Sequence, residues 1–269
     1  MARISLSRAW DEAKRIFAHD GGLLAAVALA LLVLPDIVVG VMSPSTEIAP
    51  SLPGRFIGLV AVFVSIIGQL AIVRLALGPS TTVGQAIGHG ARRFPAAFSA
   101  LLLLGLGVFL IAVPVVAVLI AAGMVDVSSG RATPDATVPV LVLVTAFLLL
   151  AVRFMLTVPI ASAEPAGPLA ILKRSWRLSK GSYWALFALE LLLLLVAVVL
   201  MVTAQLAGGV IASFVGGNLT PYGLAALILA IIVALAQAAF TVLASVMLAR
   251  IYVQLAGKDA EVSVPSSGT

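Results

Sequence analysis

The chain has 269 residues, 62% of them hydrophobic and only 10% charged, with a formal net charge of +5. Its mean hydropathy of +1.22 lies far above that of soluble domains, which are about half apolar, and this excludes a soluble globular fold. There is no cysteine, which excludes disulfides, thiolate catalysis and cysteine metal sites; His19 and His89 stand far apart, without metal-ligand spacing.

A membrane span takes about 20 mostly apolar residues, and six segments qualify, near 22–42, 55–77, 96–123, 137–161, 183–212 and 222–252. They use up nearly every residue, so no stretch is left for a soluble catalytic domain. The first run follows a segment holding Asp11, Glu12 and Asp20, and no small-residue cleavage site follows Leu34-Pro35-Asp36. It reads as a retained span rather than a signal peptide.

Before the first span, Trp10, Ala13 and Phe17 are spaced as one helix face, with Lys14 and Arg15 between them. Before the third span, Ile87, Gly90 and Phe94 repeat the spacing around Arg92 and Arg93. Before the fifth, Leu169, Leu172 and Trp176 repeat it again around Lys173, Arg174 and Arg177. Each segment predicts a short amphipathic helix lying in the interface, its aromatic toward hydrocarbon. Thr82 and Gln85 form a capping-box pattern, and Gly167-Pro168 suits a first helical turn. Gly21-Gly22, Pro95 and Gly181 predict turns into the membrane. Within the spans, Ser65, Gln69 and Arg74 recur as Thr241, Ser245 and Arg250. Gln237, Thr241 and Ser245 share one face, which predicts interhelical hydrogen bonds. Ala204, Gly208, Gly209 and Ser213 offer small-residue spacing, and Pro114 predicts a kink in the third span.

The expected fold is an all-α membrane protein with six transmembrane helices in three hairpin units, each preceded by a cytoplasmic interfacial amphipathic helix. One domain covers 1–257, in units of about 1–80, 81–165 and 166–257, and a short cytoplasmic tail covers 258–269. Of the 16 basic residues, only Arg55 and Arg131 fall on one side; Arg3, Arg8, Lys14, Arg15, Arg74, Arg92, Arg93, Arg153, Lys173, Arg174, Arg177, Lys180, Arg250 and Lys258 fall on the other. This bias puts both termini in the cytoplasm and the segments around 43–54, 124–136 and 213–221 outside. The positive charge then meets anionic lipid rather than nucleic acid.

The segment from Glu164 through Pro165, Gly167, Pro168 and Lys173-Arg174-Ser175-Trp176-Arg177 to Gly181, followed by an apolar span, resembles the membrane domain associated with bacterial glycerophosphodiester phosphodiesterases and related six-span proteins. The metal-dependent phosphodiesterase barrel has no counterpart in the chain. What the resemblance implies is a stand-alone membrane domain; with the alanine, leucine and valine bias it also implies a bacterial inner membrane.

Two groups of residues are candidates for function. Lys173, Arg174, Arg177 and Lys180, with Arg92 and Arg93, would bind a lipid headgroup or another anion, with Trp176, Tyr183 and Trp184 at headgroup depth; ordinary positive-inside anchoring accounts for the same cations. Glu190 lies about 10 Å inside its span, where an acid faces a partner or a water-filled cavity. Arg74, Arg153 and Arg250 are its candidate partners, Arg153 first. Paired acids, a metal cluster and a Ser-His arrangement are all absent from the pattern, so no enzyme and no cofactor or metal is expected. The expected role is a non-enzymatic module facing lipid or binding a membrane-protein partner; the alternative is a small permease using Glu190 and the intramembrane glutamines.

Overall fold

The computed structural model describes residues 4–43, 52–78, 82–126, 131–216 and 220–263. Arg3, most of the expected 43–54 loop, part of the 213–221 loop and the end of the expected tail lie outside them. Helix α1 (Leu6–Ala28) starts at Ser5, whose side chain accepts the Arg8 N–H, and leads through a π turn at Leu29–Val33 into α2 (Leu34–Met42). Then follow α3 (Leu52–Leu77), α4 (Val83–Ala121), α5 (Thr137–Phe154), α6 (Thr157–Ala163), α7 (Pro168–Lys180), α8 (Tyr183–Gly216) and α9 (Leu224–Ser263). Between α4 and α5, Val125–Asp126 and Arg131–Ala132 form one short antiparallel rung. Among the described residues, six helical segments are long and apolar enough to cross a membrane: Leu6–Met42, Leu52–Leu77, Val83–Ala121, Pro134–Ala163, Tyr183–Val215 and Leu224–Gly257.

Helix ends depart from the sequence expectation in an instructive way. The capping box forms at Thr82 and Gln85, but no turn forms at Gly21-Gly22 or Pro95, where α1 and α4 run straight through. In lipid each broken turn strands several backbone groups without water, whereas an interior proline costs only one hydrogen bond. Of the three expected turns only Gly181 ends a helix. The fourth span breaks instead at Met155 and Leu156, four and three residues before Pro159, whose ring crowds the carbonyl one turn back. Thr157 Oγ1 donates to Phe154 O there at 2.6 Å. Likewise α9 continues to Ser263, past the expected start of the tail.

Packing concentrates around α3 and α9 at the end of the bundle that carries Arg74, α7 and Arg250, here termed the basic end. Four successive α3 residues, Leu70, Ala71, Ile72 and Val73, are fully buried, so the helix is surrounded at that level. Gly90 makes this possible: a Cβ there would lie 2.6 Å from Ile67 O, so α4 crosses α3 backbone to backbone. Along α8 the small residues Ala204, Gly208 and Ala212 are buried at four-residue spacing against α9, as close membrane packing requires. The first two spans pack together, as do the last two, while α4 and the fourth span meet chiefly where α6 crosses α4.

Candidate functional site

At the basic end, two acids gather cations and a tyrosine from distant parts of the chain. Glu12 Oε2 accepts from Arg250 Nε at 2.8 Å and Glu12 Oε1 from Arg8 Nε at 3.0 Å, while Arg250 Nη1 reaches Ala76 O at 3.4 Å. Glu164 Oε1 accepts from Arg174 Nε at 3.1 Å and from the Tyr252 hydroxyl at 2.9 Å. Polar side chains satisfy backbone groups between these pairs: Ser162 Oγ donates to Leu70 O, and His89 Nε2 lies 2.8 Å from Ser162 O. This network joins α1, α3, α4, α6, α7 and α9 through groups whose unmade bonds would be costly.

Helix α7 is laid onto the bundle by Ile171, Ser175 and Leu178, all buried. The stripe read from the sequence is offset from this face: Leu169 and Trp176 point outward. Lys173, Arg177 and Lys180 are exposed, and Arg174 is turned in toward Glu164. Because α4 packs against α7, exposed Arg92 and half-buried Arg93 lie at the same end.

Arg153 is the residue whose expected role changes most. Its guanidinium carbon sits 4.6 Å from the centre of the Tyr183 ring and 5.0 Å from that of Trp176, a pair of cation–π contacts. Ser175 Oγ donates to Arg153 O at 2.8 Å, and the Tyr183 hydroxyl to Leu149 O at 2.9 Å, fixing the clamp from both helices. Arg153 Nη1 is the one buried side-chain nitrogen or oxygen without a hydrogen-bond partner among the described residues.

The expected ion pair between Glu190 and Arg153 is therefore not formed. Glu190 lies two turns beyond Tyr183, about 10 Å deeper, and a long cation near a span end turns toward the interface rather than inward. Arg250 is taken by Glu12 instead, and Arg74 is half-buried at the end of α3 without an ion pair among the described residues. Glu190 itself is half-buried and makes no ion pair or hydrogen bond among them. The polar face of α9 also behaves differently: Thr241 Oγ1 donates to Gln237 O of its own helix at 2.8 Å. Thr241 and Ser245 line a cleft of about 250 Å³ with Gln69 of α3.

A family described as the membrane domain of glycerophosphoryl diester phosphodiesterase matches residues 131–266, just over half of the chain. The chain belongs to this family. Its matched region covers α5 to α9 and so contains the Arg153 clamp, the Glu164 hub and the whole of α7; α1 to α4 precede it, contributing Glu12 and His89 to the basic end. The family is the membrane part of a phosphodiesterase, and the chain is an integral membrane module with six candidate spans. No curated protein and no solved structure matches it.

Sequence reasoning missed both acid hubs and Asp36. The hubs join residues as far apart as Glu12 and Arg250, beyond the reach of any local pattern. Asp36 was legible: an acid inside an apolar run of span length marks a functional position by default.

Proposed function

We propose that the chain is a non-enzymatic membrane module whose basic end holds anionic lipid headgroups. The observation that carries this reading is Arg153, in contact with two interfacial aromatics and with an unused buried N–H, while exposed Lys173 and Lys180 lie about one helical turn either side of Trp176 on α7. A phosphate arriving between Trp176 and Tyr183 would satisfy the guanidinium and meet the lysines at the rim, with charge-assisted hydrogen bonds. The basic end faces the cytoplasm of a bacterial inner membrane in this reading. Residues 1–257 act as one domain of three helical units, and the first turns of α1 and α4 and all of α7 lie along the interface. Accessory service to a membrane-protein partner follows from the same exposed face.

The test is lipid retention by protein in nanodiscs, read by native mass spectrometry. Wild type is expected to keep phosphatidylglycerol over phosphatidylcholine. Replacing Lys173 and Lys180 by serine should cut the preference by about fivefold per charge removed, from about 1 kcal/mol for each basic residue near an anionic surface. Equal retention of both lipids, or an unchanged preference in the double variant, overturns the reading.

A second reading, a small permease, is supported by the cleft that Gln69 shares with Thr241 and Ser245. Glu190 does not line that cleft. The chain is free of cysteine, so cysteines placed singly at Gln69, Thr241 and Ser245 report water access without background. Labelling from both faces of the membrane favours transport, and labelling from neither rejects it.

A further inference from the structure

At the opposite end of the bundle from α7, the helices α2, α8 and α9 leave a cleft of about 290 Å³ whose polar lining includes Asp36, Gln205 and Gln237. The cleft follows from local structure. Gly40 lies one turn beyond Asp36 and brings α2 against α9, where a Cβ would stand 2.9 Å from the Ala230 Cβ. Gln237 lies two turns further along α9 than Ala230, and Gln205 faces it from α8. The π turn at Leu29–Val33, in which the Leu34 N–H bonds to Leu29 O, adds one residue to the helix and rotates everything after it by about 100°. After that rotation Asp36 borders this cleft and a neighbouring one shared with α3.

No basic residue lines the cleft, and Asp36 makes no hydrogen bond or ion pair among the described residues. An acid within a span without a partner is costly and marks a ligand or ion path. The donor set is a carboxylate, two amide carbonyls and the Ser43 hydroxyl, all hard oxygens that favour a compact cation, and the carboxylate with the two amides supplies acceptors for the three N–H bonds of a primary ammonium. The volume is several times that of a water molecule, whose share of liquid is about 30 Å³, so a bare ion would leave most of it vacant. We propose that this cleft binds the primary ammonium group of a small organic amine, by ion pairing to Asp36 and hydrogen bonding to Gln205 and Gln237. The amine arrives either free from water or as the ethanolamine headgroup of a phospholipid.

The test uses the full chain in nanodiscs of phosphatidylcholine, a lipid whose headgroup has no primary amine. Ethanolamine is expected to raise the unfolding temperature and to slow labelling of Asp36 by a hydrophobic carbodiimide, located by peptide mass spectrometry. Tetramethylammonium, which has no N–H, should do neither at equal concentration. Asp36→Asn should weaken the apparent affinity by about tenfold or more, the worth of one charge-assisted hydrogen bond. It removes a charge from a span, so folding is retained; Gln205→Leu, at a site outside the buried core, gives a second and smaller loss of affinity. Nanodiscs of phosphatidylethanolamine separate the sources: protection without added amine assigns the lipid headgroup, and protection only with free ethanolamine assigns the aqueous amine, either result supporting the site. The proposal is overturned if tetramethylammonium or sodium chloride acts as strongly as ethanolamine, or if Asp36→Asn keeps the full stabilisation.

Discussion

The two ends of this bundle solve the same problem, polar groups in an apolar chain, in opposite ways. At the basic end Glu12 and Glu164 are each held by two partners from other turns or helices, and α4 buries Ala86, Gly90, Ala97 and Ala100 against its neighbours. Toward the other end α4 turns Leu102, Phe109 and Leu110 outward, and Asp36 is without a protein partner among the described residues. One end has converted its acids into structure, leaving Arg153 Nη1 as its unpartnered buried donor among the described residues. The other keeps them available, at a cost in stability that a ligand is in a position to offset.

The comparison breaks most readily at Arg250. Arg250→Leu leaves Glu12, whose side chain is only 13% exposed, with Arg8 as its one remaining cation, and should cost about 2 kcal/mol, the worth of a charged hydrogen bond. Thermal unfolding in detergent should show the loss, and Asp36→Asn, in the same assay without ligand, should show none. If both variants lose equally, the two ends do not differ as described.

Two glycines on α4 sharpen it further. Gly90→Ala must push apart the α3 and α4 backbones and is expected to cost about 1–3 kcal/mol, the range for overpacking. Gly105→Ala meets nothing within 4 Å and should instead stabilise by about 0.5–1 kcal/mol through helix propensity. Opposite signs from one substitution on one helix, measured by the same unfolding assay, would locate the boundary between the packed and the open region.

The smallest expected effect is at Glu190. Glu190→Gln removes an acid that has no ion pair among the described residues, so folded yield should hold or rise slightly, within about 0.5 kcal/mol. A marked fall in yield would reveal a partner for Glu190 and move that acid into the structural group with Glu12.

Hydropathy made the spans legible because each needs a long apolar run whatever it packs against. The capping box was equally legible, since Thr82 and Gln85 meet within one turn. The breaks were not: glycine and proline mark turns in water, where the freed backbone groups find solvent, and at Gly21 and Pro95 the helix runs on. Charge pairing was the least legible. The sequence offered Arg153 for Glu190 by adjacency of spans, but the aromatic rings of Trp176 and Tyr183 compete for the same guanidinium at a shallower depth. The cations of α7 were found from their spacing with the aromatics; the unpartnered buried N–H of Arg153 follows only from three-dimensional contacts.

The clasp between the beginning and end of the described chain has a consequence for biosynthesis. Ser5 N–H donates to Gln254 Oε1 and Gln254 Nε2 to Ser5 O, beside the Glu12 contact with Arg250. Helix α1 thus waits for partners on α9, which is synthesised later. Until α9 is inserted, Glu12 lacks its interhelical cation and has only Arg8 of its own helix, so a polypeptide stalled before α9 would display a half-matched acid. Insertion of α9 and closure of the basic end are in effect one event, so this end of the bundle locks only after every helix between α1 and α9 has been made.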